Sequence, residues 1–182
     1  MKTYSLLCVF FWVASTKCFG SEAPVSVDVD FKGTLVEAPC LVAPGSEGEN
    51  IVVDFGTIPE KNFYSIYGHR TWSQSFHILL TECDVSLGKE VKVTFKGTED
   101  REQPGLLAIS SNLGVKHIAV GLQTHTGATL PINKQTTGYT INNGSTQLNF
   151  KAYIQASNDG VKNHSVGQGV FEALATFELE YP

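Results

Sequence analysis

The sequence predicts an all-β protein, built as a sandwich or a barrel. Apolar and polar residues alternate with period two along most of the 182-residue chain, as they do in half-buried strands. Turn pairs such as Pro104-Gly105, Asn143-Gly144 and Asp159-Gly160 separate these segments at intervals of roughly ten residues. No segment keeps a 3.6-residue apolar period over three turns. Many short strands joined by turns are typical of β-sandwiches and barrels.

The strand candidates follow one another from residue 25 to residue 181. The first one alternates valines with acidic residues, so that its apolar face carries Val25, Val27, Val29 and Phe31. The others are short runs rich in β-branched and aromatic residues. They cover residues 34–36, 51–55, 75–80, 90–96, 106–109, 118–123, 139–141, 147–156 and 171–181.

The last strand candidate and one irregular stretch complete the list of predicted elements. In the last candidate one face is apolar, and it carries Phe171, Ala173, Ala175, Phe177, Leu179 and Tyr181. Residues 61–70 have the least regular pattern of the chain, which predicts a loop or one helical turn.

The first twenty residues have the pattern of a secretory signal peptide. Lys2 precedes an unbroken apolar run at residues 6–14, and an acidic segment begins at Ser21-Glu22. The apolar run is too short to span a bilayer comfortably. We therefore expect export of the chain and cleavage after Gly20, with residues 14–16 as a competing cleavage site.

Cleavage would leave two cysteines in the exported chain, Cys40 and Cys83. Two cysteines in an oxidising compartment predict one disulfide, which would close a separation of 43 residues. A metal or redox site is the alternative. The chain has neither a CxxC pair nor a histidine cluster beside these cysteines, which disfavours that alternative.

Composition and motifs argue against several classes of function. The chain has 13 Lys and Arg against 18 Asp and Glu, and its formal charge is −5. Without residues 1–20 two lysines are lost, and the charge is about −7. Because no basic cluster is present, we expect no nucleic-acid partner. The five histidines are scattered, and His77 is expected to face outward from a strand. No nucleophile elbow, P-loop or dinucleotide motif is present, so we expect neither an enzyme nor a cofactor.

Motifs along the whole mature chain resemble the pilin subunits of bacterial chaperone–usher fimbriae. They are Phe31-Lys32-Gly33 with Cys40, Val53-Asp54-Phe55-Gly56, Phe76-x-Ile78-x-Leu80-x-x-Cys83, Val93-Thr94-Phe95-x-Gly97-Thr98, Leu130-Pro131-Ile132-Asn133, Phe150-x-Ala152-Tyr153 and the C-terminal stretch at residues 169–181. Each motif is weak alone, and their order behind a signal peptide makes the resemblance specific. Residues 95–99 and the C-terminal stretch are more similar to P-pilus-type minor or adaptor subunits than to a lectin tip.

The resemblance implies an incomplete immunoglobulin-like β-sandwich, a pilin fold that lacks its seventh strand and is completed in trans by donor-strand addition. It divides the chain into a signal peptide (1–20), an N-terminal donor-strand extension (21–31) and a pilin domain (32–182). The implied donor face is Val25, Val27, Val29 and Phe31, with Ala23 outermost. The implied acceptor strand carries Phe177, Leu179 and Tyr181, and the carboxylate of Pro182 is expected near the chaperone's basic anchor. Donor extensions often place glycine inside this face, and here none is present.

The resemblance also implies partners and a location. These are a periplasmic pilus chaperone, an outer-membrane usher and neighbouring pilin subunits, in a protein that passes through the periplasm to a cell-surface fimbria. A minor or adaptor pilin that supports adhesion is the favoured role, and a major rod subunit or a terminator of the same fimbria are alternatives. A secreted carbohydrate-binding sandwich is another, in which Trp72, Tyr64 and Tyr67 would stack on sugar. For these three aromatic residues we favour packing under an irregular loop.

Overall fold

The computed structural model describes residues 32–33, 37–44, 50–65, 68–111 and 114–182. The predicted signal peptide, the donor face from Val25 to Phe31 and the strand candidate at residues 34–36 lie outside the described residues. The chain divides into two compact units, Met1–Leu35 and Val36–Pro182. All helices and strands of the described residues lie in the second unit.

Two antiparallel sheets form this unit, which confirms the predicted all-β class. The strands are β1 (Leu41–Val42), β2 (Gln74–Cys83), β3 (Glu90–Lys96), β4 (Leu107–Ala108), β5 (Ile118–Thr124), β6 (Thr129–Leu130), β7 (Tyr139–Thr140), β8 (Gly144–Ala156) and β9 (Thr176–Glu180). The larger sheet has the order β1-β2-β8-β5-β4, with β6 also paired to β5, and the smaller sheet has the order β7-β3-β9. A 3₁₀ turn at Glu60–Tyr64 and a short helix, α1 (Asn158–Lys162), lie in the connections. The turn agrees with the prediction for residues 61–70.

An aromatic cluster joins the two sheets at the centre of the core. Phe150 of β8 is almost fully buried, and its ring centroid lies 5.6 Å from Phe76 of β2 in the same sheet. From the smaller sheet, Phe95 of β3 and Tyr139 of β7 approach Phe150 at 5.1 and 5.7 Å. The two contacts across the sheets are edge-to-face, the arrangement that aromatic pairs favour. Most outward positions of the same strands are polar, with Leu79 of β2 as an exposed apolar exception, and His77 is exposed as predicted.

The predicted strand at residues 51–55 is wrong as a hydrogen-bonded element. The segment alternates as expected, because Ile51, Val53 and Phe55 pack against the core while Val52 and Asp54 are exposed. No ladder pairs it with another strand in the part of the chain that the structure describes. Alternation reports that one face is buried, whereas a ladder also needs a neighbouring strand.

The predicted strand at residues 171–181 is shorter than expected. Only Thr176–Glu180 pairs with β3. Glu172 bridges Ser110 instead, through two backbone hydrogen bonds of 2.7 and 2.9 Å. Because the neighbour changes at this point, Ala173 is exposed rather than inward as predicted.

A disulfide stabilises the edge of the larger sheet that β1 forms. Cys40 is bonded to Cys83 at the end of β2, across a separation of 43 residues, and both cysteines are buried. Next to the bond, the amide of Asp84 donates to the carbonyl of Pro39 at 2.8 Å. Since β1 pairs with β2 over only two residues, the covalent bond is the main constraint on this edge.

Replacing both cysteines (Cys40→Ser with Cys83→Ser) should lower the free energy of unfolding of the mature chain by about 4 kcal/mol, the loop-closure entropy expected for this separation. Urea unfolding of the oxidised chain and of the variant measures the difference. Reduced wild-type protein is the control and should unfold with the variant. Equal midpoints for all three samples would contradict the prediction.

Candidate functional site

The last strand, β9, is paired along only one edge in the part of the chain that the structure describes. It is terminal in the sheet β7-β3-β9, where Glu178 lies opposite Thr94 and Leu179 lies opposite Val93. Among the described residues the other side of β9 has no partner strand, and we call this side the free edge.

The direction of the backbone groups shows which residues present this free edge. The amide of Val93 donates to the Thr136 hydroxyl at 3.0 Å, and the carbonyl of Val93 accepts from the Thr136 amide at 2.9 Å. These groups point away from β9, and successive residues of a strand direct their backbone groups to opposite edges. The groups of Thr94 therefore point toward Glu178 of β9. Those of its neighbours Phe177 and Leu179 point to the free edge.

Burial of the apolar face falls from β3 to β9. Val91 and Val93 of β3 are both 0% exposed. Phe177, Leu179 and Tyr181 pack against the same core, yet each is only half-buried. The apolar layer is thus complete under β3 and incomplete at the free edge of β9.

The larger sheet also ends in an incompletely covered strand. β1 is terminal in that sheet, and both of its residues, Leu41 and Val42, are exposed apolar side chains. Exposed apolar edges are the places where β proteins pair with other chains.

Two buried hydroxyl groups lie in or directly beside the smaller sheet. Tyr139 is opposite Val91, and Tyr181 directly follows β9. The hydroxyl oxygens of both tyrosines are buried and have no hydrogen-bond partner among the described residues. An unsatisfied buried hydroxyl costs about 1–3 kcal/mol. Burial also raises the pKa of both side chains above the usual value for tyrosine.

Alkaline pH should destabilise the fold through these two tyrosines. Because their pKa values are raised in the fold, stability is fully present below the ordinary pKa of about 10. It is lost as the pH rises through the folded-state pKa, since the unfolded chain ionises first. Urea unfolding between pH 8 and 11, values that bracket a tyrosine pKa of about 10, measures this loss.

The variant Tyr139→Phe with Tyr181→Phe should show a smaller alkaline loss. At neutral pH it should be at least as stable as wild type, because it removes two hydroxyls that lack partners. An unchanged alkaline profile would contradict the assignment of the loss to these side chains.

The outward face of β9 is polar and acidic. Glu178 forms an ion pair with Lys96 of β3 at 3.4 Å, with both side chains largely exposed. The Glu180 carboxylate accepts a hydrogen bond from the side-chain amide of Gln135 at 2.8 Å. Beyond β9, Pro182 is exposed.

The structure places two of the predicted acceptor residues, Phe177 and Leu179, on the inward face of β9, and Tyr181 and Pro182 follow the strand. The predicted donor face lies outside the described residues. Sequence reasoning did not single out Tyr139 or the outward carboxylates Glu178 and Glu180. The alternation of residues 176–181 contained the signal for both carboxylates.

The aromatic residues considered for sugar stacking have different environments. Trp72 is 91% exposed, so the expectation that it packs under a loop is wrong. Tyr64 does pack against the core; its hydroxyl donates to the Glu60 carboxylate at 2.8 Å, and its ring lies 4.4 Å from that of His164. Tyr67 lies outside the described residues.

Neither metal chemistry nor a membrane span is indicated by the described residues. They contain no group of three or more His, Cys, Asp or Glu side chains arranged to hold a metal ion. Over the same residues, no helix has the length and apolar character needed to cross a membrane.

The fold and the site together define a class of protein: a β-sandwich in which the strand β9 is paired along only one edge by the described residues. An extended segment of another chain can in general be added at such an edge. Comparison with known families then identifies the family. The sequence model of the fimbrial protein family matches residues 29–182, and the chain belongs to this family.

Two curated relatives are similar over most of their lengths. The chain is 33% identical to the fimbrial adapter PapK of Escherichia coli over 162 residues, which are 86% of this chain and 89% of PapK. It is 27% identical to the putative minor fimbrial subunit PmfF of Proteus mirabilis over 179 residues, which are 97% of this chain and 95% of PmfF.

Solved structures share the fold. The P pilus rod subunit PapA superposes with a TM-score of 0.65 at 23% identity, over 80% of this chain and 100% of PapA. A chaperone–usher pilus structure superposes with a TM-score of 0.65 at 25% identity, over 93% of this chain and 100% of the matched chain. The protein is thus a structural subunit of a chaperone–usher fimbria and not an enzyme. Fimbriae are surface structures, which places it outside the cell.

Proposed function

We propose that this chain is a minor or adaptor pilin that joins its neighbours by exchanging strands. It accepts an extended segment of one subunit along the free edge of β9. It donates its own residues 21–31 to the next subunit. The free edge above half-buried Phe177, Leu179 and Tyr181 is the observation that carries the proposal.

An added strand would supply β9 with hydrogen-bond partners for its backbone and with a cover for its apolar face. The backbone groups of Phe177 and Leu179 that point to the free edge would gain partners, as buried backbone groups require. The half-buried apolar face would be covered by apolar side chains of the incoming strand. A complete sheet edge would also remove a site of aggregation.

Residues 21–31 have the pattern that such a donor needs. The predicted donor face, Val25, Val27, Val29 and Phe31, presents four apolar side chains at alternate positions. Burying each of them is worth roughly 1.5–3 kcal/mol, or about 6–12 kcal/mol before the costs of association. This scale is sufficient for a filament held together without covalent bonds.

Before assembly the free edge needs protection, which is the role proposed for a periplasmic chaperone. The chaperone would add a strand of its own to β9, near the exposed Pro182. At an outer-membrane usher, the extension of the next subunit would replace it. The signal peptide predicted at residues 1–20 would bring the chain into the periplasm.

The position in the fimbria is assigned from the relatives. The adapter PapK and the minor subunit PmfF both match most of this chain. Their roles, rather than that of a rod subunit or terminator, are therefore the ones we propose for it. A carbohydrate-binding role has less support, because Tyr64 packs against the core and leaves Trp72 as the exposed ring among the described residues considered for stacking.

Thermal unfolding of oxidised residues 32–182, alone and with extension peptides, tests strand acceptance. The peptides span residues 21–33 of this chain and the N-terminal extensions of other pilins of the same fimbria. At least one peptide should raise the midpoint in a concentration-dependent manner, with a gain of about 2.7 kcal/mol at a hundredfold excess over Kd.

Two substitutions in β9 control for the site of binding. Leu179→Ser removes an inward apolar contact and should reduce the peptide-induced gain, whereas Thr176→Ser changes an outward position and should leave it intact. A truncated chain that is already stable and monomeric, and that ignores every peptide, would mean that the sandwich is complete and the proposal is wrong.

A further inference from the structure

The outward row of β9 places two carboxylates beside the free edge. Thr176, Glu178 and Glu180 alternate with the inward residues and are all exposed. Lys96 offsets the charge of Glu178 through a contact at 3.4 Å. The Glu180 carboxylate accepts a hydrogen bond from the side-chain amide of Gln135, and Lys92 of β3 lies opposite Glu180 in the ladder. Any strand added at this edge therefore lies next to two carboxylates, each of which has a lysine of β3 on its other side.

The chain's own extension has an acidic outward row as well. If Val25, Val27, Val29 and Phe31 face inward, the period of two turns Ser26, Asp28 and Asp30 outward. Glu22 precedes them in the same row, and Lys32 is its one basic residue.

The outward row of the extension would lie beside the outward row of β9 in every register that buries the donor face. A strand can shift only by two residues without turning its apolar side outward. Side chains directly opposite one another lie about 4.5–5.5 Å apart and diagonal neighbours about 7–8 Å apart. With Asp28 and Asp30 two positions apart, as Glu178 and Glu180 are, each central register brings aspartates beside glutamates. Like charges at these distances are destabilising.

We infer that β9 selects a strand from a different subunit, one whose outward side chains are uncharged or basic, and discriminates against a second copy of this chain. This inference rests on the proposed strand exchange and adds the chemistry of the partner. The inward face provides affinity for any donor with alternating apolar residues. The outward carboxylates distinguish one such donor from another.

The first test uses the unchanged mature chain, residues 21–182, and three labelled peptides. They are the wild-type extension at residues 21–33, the same peptide with Asp28→Asn and Asp30→Asn, and the peptide with Asp28→Lys and Asp30→Lys. Fluorescence anisotropy at low salt measures binding. The Asn peptide should bind about 2- to 30-fold more tightly than wild type, the range expected for two relieved cross-strand pairs. The Lys peptide should bind more tightly still.

Salt provides a second readout of the same contact. The carboxylates are exposed, so raising the ionic strength should shrink the differences between the three peptides. Differences caused by strand propensity or packing would persist at high salt.

The reciprocal change is made in β9. Glu178→Gln with Glu180→Gln should tighten binding of the wild-type peptide and have less effect on the Asn peptide, since the repulsion is already relieved there. The matched control is Gln147→Lys with Asn149→Lys, which makes the same change in net charge at exposed positions of β8. It should leave the ranking of the peptides unchanged.

The outcomes separate this inference from the proposed function. Equal affinities for the three peptides, or differences that salt does not alter, would overturn the charge selection while leaving strand acceptance intact. If the control variant tightened binding as much as the β9 variant, a general charge effect would replace the local one. If no peptide bound, nor any extension from another pilin, both the inference and the proposed strand exchange would be wrong.

Discussion

The unpaired edge of β9 is the constraint on which the rest of this structure depends. Backbone amides and carbonyls need partners, and on this edge the groups of Phe177 and Leu179 find none among the described residues. The core follows the same pattern, since it is closed under Val91 and Val93 and open at β9. Under the proposed strand exchange, a further strand would complete this part of the fold, and assembly would coincide with that completion.

The Cys40–Cys83 bond lies at the edge of the larger sheet, which β1 forms, whereas β9 ends the smaller sheet. A domain with an incomplete core has a small margin of stability. The disulfide restricts the unfolded chain without requiring any further apolar surface. It also fixes the short β1 edge, where only two residues pair with β2. The covalent bond thus stabilises the β1 edge of the sandwich, whereas the proposed partner strand would stabilise the β9 edge.

The sequence predicted well the strands that pair with a neighbour along both edges. It failed for segments that alternate but have no such neighbour. β2, β3, β5 and β8 lie close to their predicted bounds, because alternation follows from having one buried face. Residues 51–55 alternate in the same way and form no ladder, since a hydrogen-bonded partner is not a local property. The exposure of Trp72 could not be read from its neighbours either. At β9 the inward residues were predicted. The role inferred for Glu178 and Glu180 could not be, because it depends on the second edge of β9 having no partner strand among the described residues.

The two faces of an added strand contribute energies of different size, and this difference determines what each can control. Four buried donor side chains contribute about 6–12 kcal/mol, a term that any pilin extension with alternating apolar residues supplies. Opposed charges in the exposed outward rows contribute about 0.2–1 kcal/mol per pair. The outward rows therefore cannot prevent polymerisation. When several extensions compete for one edge, however, the shared apolar term cancels, and the smaller charge term is left to decide which subunit follows which.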